Sequence, residues 1–224
     1  MMLSGLTIAL VCLAGAQPPS PALLRGKDGV ELALPSGRLR LQVLSPEVVR
    51  VVQAPSSGFS TRPSLVRVGR WPGAPWHLRQ RSDGWTLSTA KLNVTISKTG
   101  TVAFRDAEGR LLLRETGPGA RRLVPKRLAG ELGYECEQYF SPNPHESFYG
   151  LGTHPEGWFD LAGHVVPLQQ ENTRDSTPFL LSSRGYGLLF DHTSQGEVRL
   201  GPASQLLPAG CLRSPEGKPG ALKA

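Results

Sequence analysis

From Val30 to Leu44 the chain reads VELALPSGRLRLQVL, two apolar–polar alternations joined by Pro35-Ser36-Gly37. Alternation with a period of two marks strands that bury one face, and the Pro-Ser-Gly punctuation predicts a hairpin between them. Side chains then fall alternately on the two faces, Leu39, Leu41 and Val43 on one and Arg38, Arg40 and Gln42 on the other. Glu47–Gln53 (EVVRVVQ) continues as a further strand. Pro46 is tolerated at its start, where the missing N–H costs no ladder bond. Gly58–Pro75 is irregular, with Trp71 and Trp76 as packing residues at its end.

A second β block follows, with strands predicted at Trp85–Ser88, Lys91–Ser97, Thr101–Asp106 and Arg110–Arg114. Turns at Lys98-Thr99-Gly100 and Asp106-Ala107-Glu108-Gly109 set the spacing of about 8–12 residues expected of a sandwich or barrel. Gly117–Gly133 reads as a Gly/Arg/Pro loop, after which Tyr134–Phe140 resumes alternation. Phe148 to Asp160 is dense in aromatics and glycine, and the polar stretch 167–177 reads as a loop between apolar strands. Strands are predicted at Pro178–Ser182 and Tyr186–Asp191, and Glu197–Leu200 is a candidate for one more. No helical period lasts beyond a turn or two. The prediction is all-β, a β-sandwich over residues 28–201.

The ends differ in character. Leu6 to Leu13 is an uncharged apolar run followed by Ala14-Gly15-Ala16, an A-x-A-type site, so residues 1–16 read as a signal peptide cleaved after Ala16. Residues 17–27 then form a linker, and the product is exported to a periplasm or the extracellular space. Cys12 invites a lipoprotein reading, but Val11 stands where a small residue is wanted. No run approaches roughly 18 apolar residues, which argues against a membrane span. Residues 202–224, rich in Pro, Gly and Ala without a period, read as a disordered or aberrant tail. It begins where another strand would be welcome, which suggests a premature end.

Composition narrows the chemistry. In 224 residues there are 26 Gly and 20 Pro, in keeping with many turns. The net charge of +7 raises the question of nucleic acid, but most Arg and Lys residues are scattered. The one cluster, Arg121, Arg122, Lys126 and Arg127, has no interleaved aromatics for base stacking and reads as a solvated basic loop. After signal cleavage only Cys136 and Cys211 remain, a pair that an oxidising compartment would permit without requiring. His145, His154 and His164 match no zinc spacing, and no metal or cofactor is expected.

Several motifs dissolve in context. Ser88-Thr89-Ala90-Lys91 and Lys98-Thr99-Gly100 spell S-x-x-K and K-T-G, yet they lie in strand-like sequence, close together and without S-D-N. Gly150-Leu151-Gly152 begins like a dinucleotide fingerprint, but Pro155 takes the place of the third glycine and no βαβ unit surrounds it. Asn93-Val94-Thr95 is a formal glycosylation sequon inside a strand. Tyr149, Trp158 and Phe159 offer flat faces suited to a pyranose ring, although aromatics of a sandwich more often pack inside.

The segment 148–201 carries a resemblance. Glu146, Phe148-Tyr149-Gly150-Leu151-Gly152, Asn172-Thr173-Arg174-Asp175, Pro178-Phe179-Leu180, Ser183-Arg184-Gly185-Tyr186-Gly187 and Asp191 stand in the order of phrases that close the N-terminal domain of glycoside hydrolase family 31, the α-glucosidases and α-xylosidases. Earlier stretches resemble it more loosely, back to about residue 28. The resemblance implies a galactose-mutarotase-like sandwich that supports a TIM barrel and sends one loop to its sugar site. It also implies a carbohydrate partner. Asp175 matches the sugar-contacting Asp of an N-R-D phrase with one residue inserted, so Asn172 is the alternative holder of that contact, and Arg174 completes the candidate set.

In that family both catalytic carboxylates come from the barrel, one within a phrase like W-x-D-M-N-E that does not occur here. Retaining hydrolysis needs two carboxyl groups about 5–5.5 Å apart. Glu156, Asp160 and Glu171 could supply such a pair, but they read as solvated loop charges, and no catalytic residue is assigned. Three functions stand open: an inactive N-terminal part of an α-glycoside hydrolase, a free-standing carbohydrate-binding module, and a purely structural β-domain.

Overall fold

The computed structural model describes residues 22–66, 71–141, 143–201 and 207–208. The signal peptide read at 1–16 lies outside the described residues, as does most of the stretch read as a tail. Every regular element among the described residues is a strand, and every sheet is antiparallel.

Strands β1 (Leu23–Arg25), β2 (Gly29–Leu34), β3 (Gly37–Ser45) and β4 (Val48–Ala54) form one sheet in sequential order. β1 falls within the segment read as a linker and pairs with β2. A second sheet runs β5 (His77–Arg81), β6 (Gly84–Ser88), β7 (Leu92–Ser97), β8 (Val102–Asp106) and β9 (Leu111–Arg114), again in order. Val30, Leu32, Leu39, Leu41 and Val43 of the first sheet pack against Leu87, Val94, Ile96 and Val102 of the second. Each such buried aliphatic side chain stabilises by about 1.5–3 kcal/mol. The opposite face of β3 is polar, with Arg38 and Arg40 both paired to Glu31 and the ring of Phe59 lying 3.9 Å from the Arg40 guanidinium carbon.

The second half comprises β10 (Arg121–Leu128), β11 (Glu131–Phe140), β12 (Phe148–Thr153), β13 (Val165–Leu168), β14 (Asp175–Ser182), β15 (Tyr186–Leu189), β16 (Gly196–Arg199) and the short β17 (Leu207–Pro208). Its sheets are ordered β10-β11-β17, β12-β14-β15 and β13-β16. Phe140, Phe148, Leu151, Leu161, Val166, Leu180, Val198 and Leu200 build a second core, and Phe104 of β8 touches both cores. Asp191 ties the halves together, its carboxylate 2.9 Å from Arg50 of β4.

Three expectations need correction. The stretch 117–133 is not a loop, because Arg121–Leu128 pairs residue for residue with Glu131–Gln138 across a turn at Ala129-Gly130. Its basic side chains are not a free cluster either. Arg121 pairs with Glu115, Arg122 with Glu137 and Lys126 with Glu135, while Arg127 donates to the Gly130 carbonyl. The acids that balance this charge sit largely on the neighbouring strand, so a linear reading sees only the cations. Asp175 likewise is not in a loop but opens β14, which starts three residues before the predicted Pro178.

Candidate functional site

Gly150-Leu151-Gly152 sets the geometry of the site. All three residues have positive φ, 93°, 60° and 103°. The glycines adopt this at little steric cost, whereas Leu151 is held there by a fully buried side chain. Gly150 pairs with Leu180 and Gly152 with Ser176, so Thr177-Pro178-Phe179 of β14 bulge opposite the single Leu151. A bulge is where a strand tolerates proline. The backbones approach so closely that a Cβ on Gly150 would stand 2.6 Å from the Phe179 carbonyl oxygen, and one on Gly152 1.8 Å from that of Asp175. The glycines answer to the close approach of the β14 backbone at this bulge, not to a nucleotide phosphate.

Beyond the bulge the chain makes a tight turn. Glu171 N–H donates to the Arg174 carbonyl at 3.1 Å and Arg174 N–H to the Glu171 carbonyl at 3.3 Å, leaving Asn172 and Thr173 exposed at the tip. Neither tip side chain is engaged with a partner among the described residues. Arg174 points back: only 13% of its side chain is exposed, and it pairs with Glu156 and Glu171. Gln170 Nε2 donates to Asp175 Oδ1 at 3.1 Å and to the Ser176 carbonyl at 3.2 Å, while its Oε1 accepts from Ser176 N–H at 3.0 Å. Of the three predicted site residues, Asn172 is the outermost, Asp175 flanks the turn beneath it, and Arg174 is a brace.

Each of the three acids considered as a carboxylate pair, Glu156, Asp160 and Glu171, is engaged with a neighbouring group. Glu156 and Glu171 flank the Arg174 guanidinium. Asp160 Oδ1 accepts from Phe148 N–H at 3.0 Å and Ala162 N–H at 2.9 Å, fastening the loop after β12 to its own start. Slight burial pushes the Asp160 carboxyl up, but hydrogen bonds from Ser147 and these two amides outweigh it and leave it below the ordinary range. Glu146, the acid of the matched phrase, is buried and accepts from Asn143 at 2.9 Å and from Ser182. Burial and this same carboxylate push the Tyr186 phenol up.

The aromatics divide. Trp158 stacks on His164, ring centroids 4.1 Å apart, and packs against the second core. Phe159 is 85% exposed, with Tyr149 its ring neighbour at 5.3 Å. The other motifs are accounted for structurally. Ser88 Oγ donates to Asn93 Oδ1 at 2.7 Å, and the Asn93 amide donates to the Asp106 carbonyl at 3.2 Å, which ties up both the S-x-x-K serine and the sequon asparagine. No group of three metal-ligating side chains occurs among the described residues.

The family model of the glycosyl hydrolase 31 N-terminal galactose mutarotase-like domain matches residues 38–198. The chain belongs to this family. As a family 31 N-terminal domain it resembles the α-xylosidase of Saccharolobus solfataricus, 32% identical over 117 residues that make up 46% of this chain and 16% of that enzyme. An uncharacterised family 31 glucosidase of Pseudescherichia vulneris is 29% identical over 133 residues, 50% of this chain and 25% of the relative. Among solved structures, the α-xylosidase of Xanthomonas citri superposes with a TM-score of 0.74 at 34% identity, covering 78% of this chain and 19% of that one. A soil-metagenome α-xylosidase bound to xylose has a TM-score of 0.70 at 22% identity, a likeness of fold, covering 85% of this chain and 30% of that one. The family 31 domain described here thus spans a quarter or less of the curated relatives it matches.

Proposed function

We propose that this chain is the N-terminal domain of an exported α-glycoside hydrolase, that its Asn172–Thr173 turn lines the sugar subsite of a neighbouring catalytic barrel, and that it turns over no substrate itself. The observation that carries this reading is the braced turn. Arg174 pairs with the Glu156 and Glu171 side chains and Gln170 bonds to the Ser176 backbone, which brace the turn from behind, while the tip presents a neutral amide and a hydroxyl outward. An amide and a hydroxyl each donate and accept, which suits the hydroxyls of an uncharged sugar. The relatives named as α-xylosidases favour an α-linked pentose, and the one named as a glucosidase a hexose. The acids around the turn are committed to structure, which supports the absence of turnover. Export rests on the signal-like segment at 1–16.

The full chain should release no p-nitrophenol from p-nitrophenyl α-xyloside or α-glucoside. Clear turnover that disappears in Asp175→Ala would sink the reading. Calorimetric titration with xylo- and gluco-oligosaccharides should show no tight binding by the chain alone, since on this reading the subsite is completed by the barrel; micromolar binding would instead identify a free-standing module. N-terminal sequencing of the exported product should begin at Gln17.

A further inference from the structure

Arginines far apart in the sequence meet on the outer face of the sheet β5 to β9. Directly paired residues share a face, so the pairings Arg79↔Thr86, Thr86↔Thr95, Thr95↔Ala103 and Ala103↔Arg114 form one row across the whole sheet. The next row joins His77, Ser88, Asn93 and Arg105 in the same way. Leu87, Val94, Ile96 and Val102 of the same strands are buried against the first sheet, so these two rows look outward. Arg79, Arg105 and Arg114 are exposed. The first and last arginines of the longer row stand four strands apart, about 19 Å. No acid meets these three side chains. On other strands Arg38 and Arg40 share Glu31, Arg50 holds Asp191, Arg121 holds Glu115 and Arg122 holds Glu137. Arg81, at the edge of the same face, is paired with Asp83. Arg79, Arg105 and Arg114 form no ion pair with any described residue, and Arg105 donates only to the Gly109 carbonyl. Hydroxyls lie between them, and that of Thr86 is shielded from solvent with no partner among the described residues.

We infer that this face binds a carboxylate-bearing polysaccharide laid across the strands. Charge complementarity selects an anion, because neither row contains an acid to balance the guanidinium groups, and each guanidinium fork fits a carboxylate through two parallel hydrogen bonds. Spacing selects the polymer. Thr86 and Thr95 separate Arg79 from Arg114, a pattern that suits a chain with single carboxylates set among hydroxyls. Other polyanionic partners fit less well. Single-stranded nucleic acid stacks its bases on aromatic side chains, and neither row holds Phe, Tyr or Trp. An anionic membrane takes up apolar side chains beside the basic ones, and none of the exposed large hydrophobic residues lies in either row.

The test titrates the full chain with polygalacturonate oligomers in a calorimeter at low salt. Wild type should bind, and the affinity should fall as added salt screens the exposed charges. Arg79→Gln combined with Arg114→Gln should weaken binding at least about tenfold, since each substitution removes a charge-assisted hydrogen bond. Arg122→Gln combined with Lys126→Gln takes the same charge from the β10–β11 hairpin and should bind like wild type, which separates a built face from net charge. No binding by wild type, equal weakening in the two double variants, or equal binding of neutral dextran overturns the inference. So does tighter binding to phosphatidylglycerol vesicles or to single-stranded DNA, because the face would then serve a membrane or a nucleic acid. Failure to bind polygalacturonate leaves the reading of the Asn172–Thr173 turn untouched, because that turn lies before β14 and its test uses neutral sugars.

Discussion

The carbonyl oxygen of Asp175 lies so close to Gly152 that a Cβ on residue 152 would stand 1.8 Å from it. That approach, at a φ of 103°, lets β12 and β14 pair up to the base of the Asn172–Thr173 turn. Gly152→Ala should therefore strain the backbone and push the strands apart, costing about 2–4 kcal/mol from the combined steric and conformational terms. Gly157→Ala provides the control, since its φ is also positive, 73°, but nothing stands within 4 Å of its would-be Cβ. It should cost about 1 kcal/mol. Urea midpoints of the two variants measure the difference, and equal midpoints would refute the close-approach argument.

Arg121 and Glu115 form a buried ion pair where the β10–β11 hairpin meets the second sheet. Arg121 also donates to the Gly100 carbonyl and, at 2.9 Å, to Gln53 Oε1. Glu115 accepts further from Val102 N–H at 2.8 Å and Gln138 at 3.1 Å. Burial pushes the Glu115 carboxyl up, against the pull of Arg121 and these donors. Arg121→Met should cost about 3–5 kcal/mol at neutral pH, because it strands a buried carboxylate. A folded pKa above the unfolded one contributes stability that is whole below the ordinary Glu range and is lost as pH rises through the folded value. The variant's melting temperature should therefore fall more steeply than wild type's from acid toward neutral pH. A Glu115→Leu, Arg121→Met double variant should recover much of the loss.

Asp160 behaves in the opposite sense. Its folded pKa is depressed, so its contribution is present above the ordinary Asp range and is lost as pH falls through the folded value. Asp160→Asn removes the charge but keeps an acceptor for Phe148 and Ala162. The acid limb of its stability curve should be shallower than wild type's, with a difference at neutral pH under about 1 kcal/mol because the group is largely exposed. Thermal melts from mildly acidic to strongly acidic pH decide it; parallel acid limbs would show that the loop is not fastened this way.

The first sheet was legible because β3 alternates strictly and buries one face, which makes period two visible in the residues themselves. The strands at 92–97, 102–106 and 196–199 were readable for the same reason, being bounded by turns with Gly or Asp at the needed positions. β10 was hidden. Its two-stranded hairpin has little core to face, so its side chains follow cross-strand charge pairing with β11 instead of an apolar repeat. Of the site, the residue types in Asn172-Thr173-Arg174-Asp175 were visible, but not their division of labour. Glu156 is 18 positions from Arg174 and nothing local marks them as partners.

By itself the sequence determined the all-β class, the side of each alternating strand that turns inward, and the family phrases, because these depend on local period and on residues close along the chain. Tertiary structure alone decided that Arg174 braces while Asn172 projects, that the Gly-Leu-Gly segment serves a bulged close pairing with β14, and that Phe179, Leu181 and Leu189 share one exposed face. Those outcomes depend on which distant backbone lies within a few ångströms, a matter set by strand pairing and not by any neighbour in the chain.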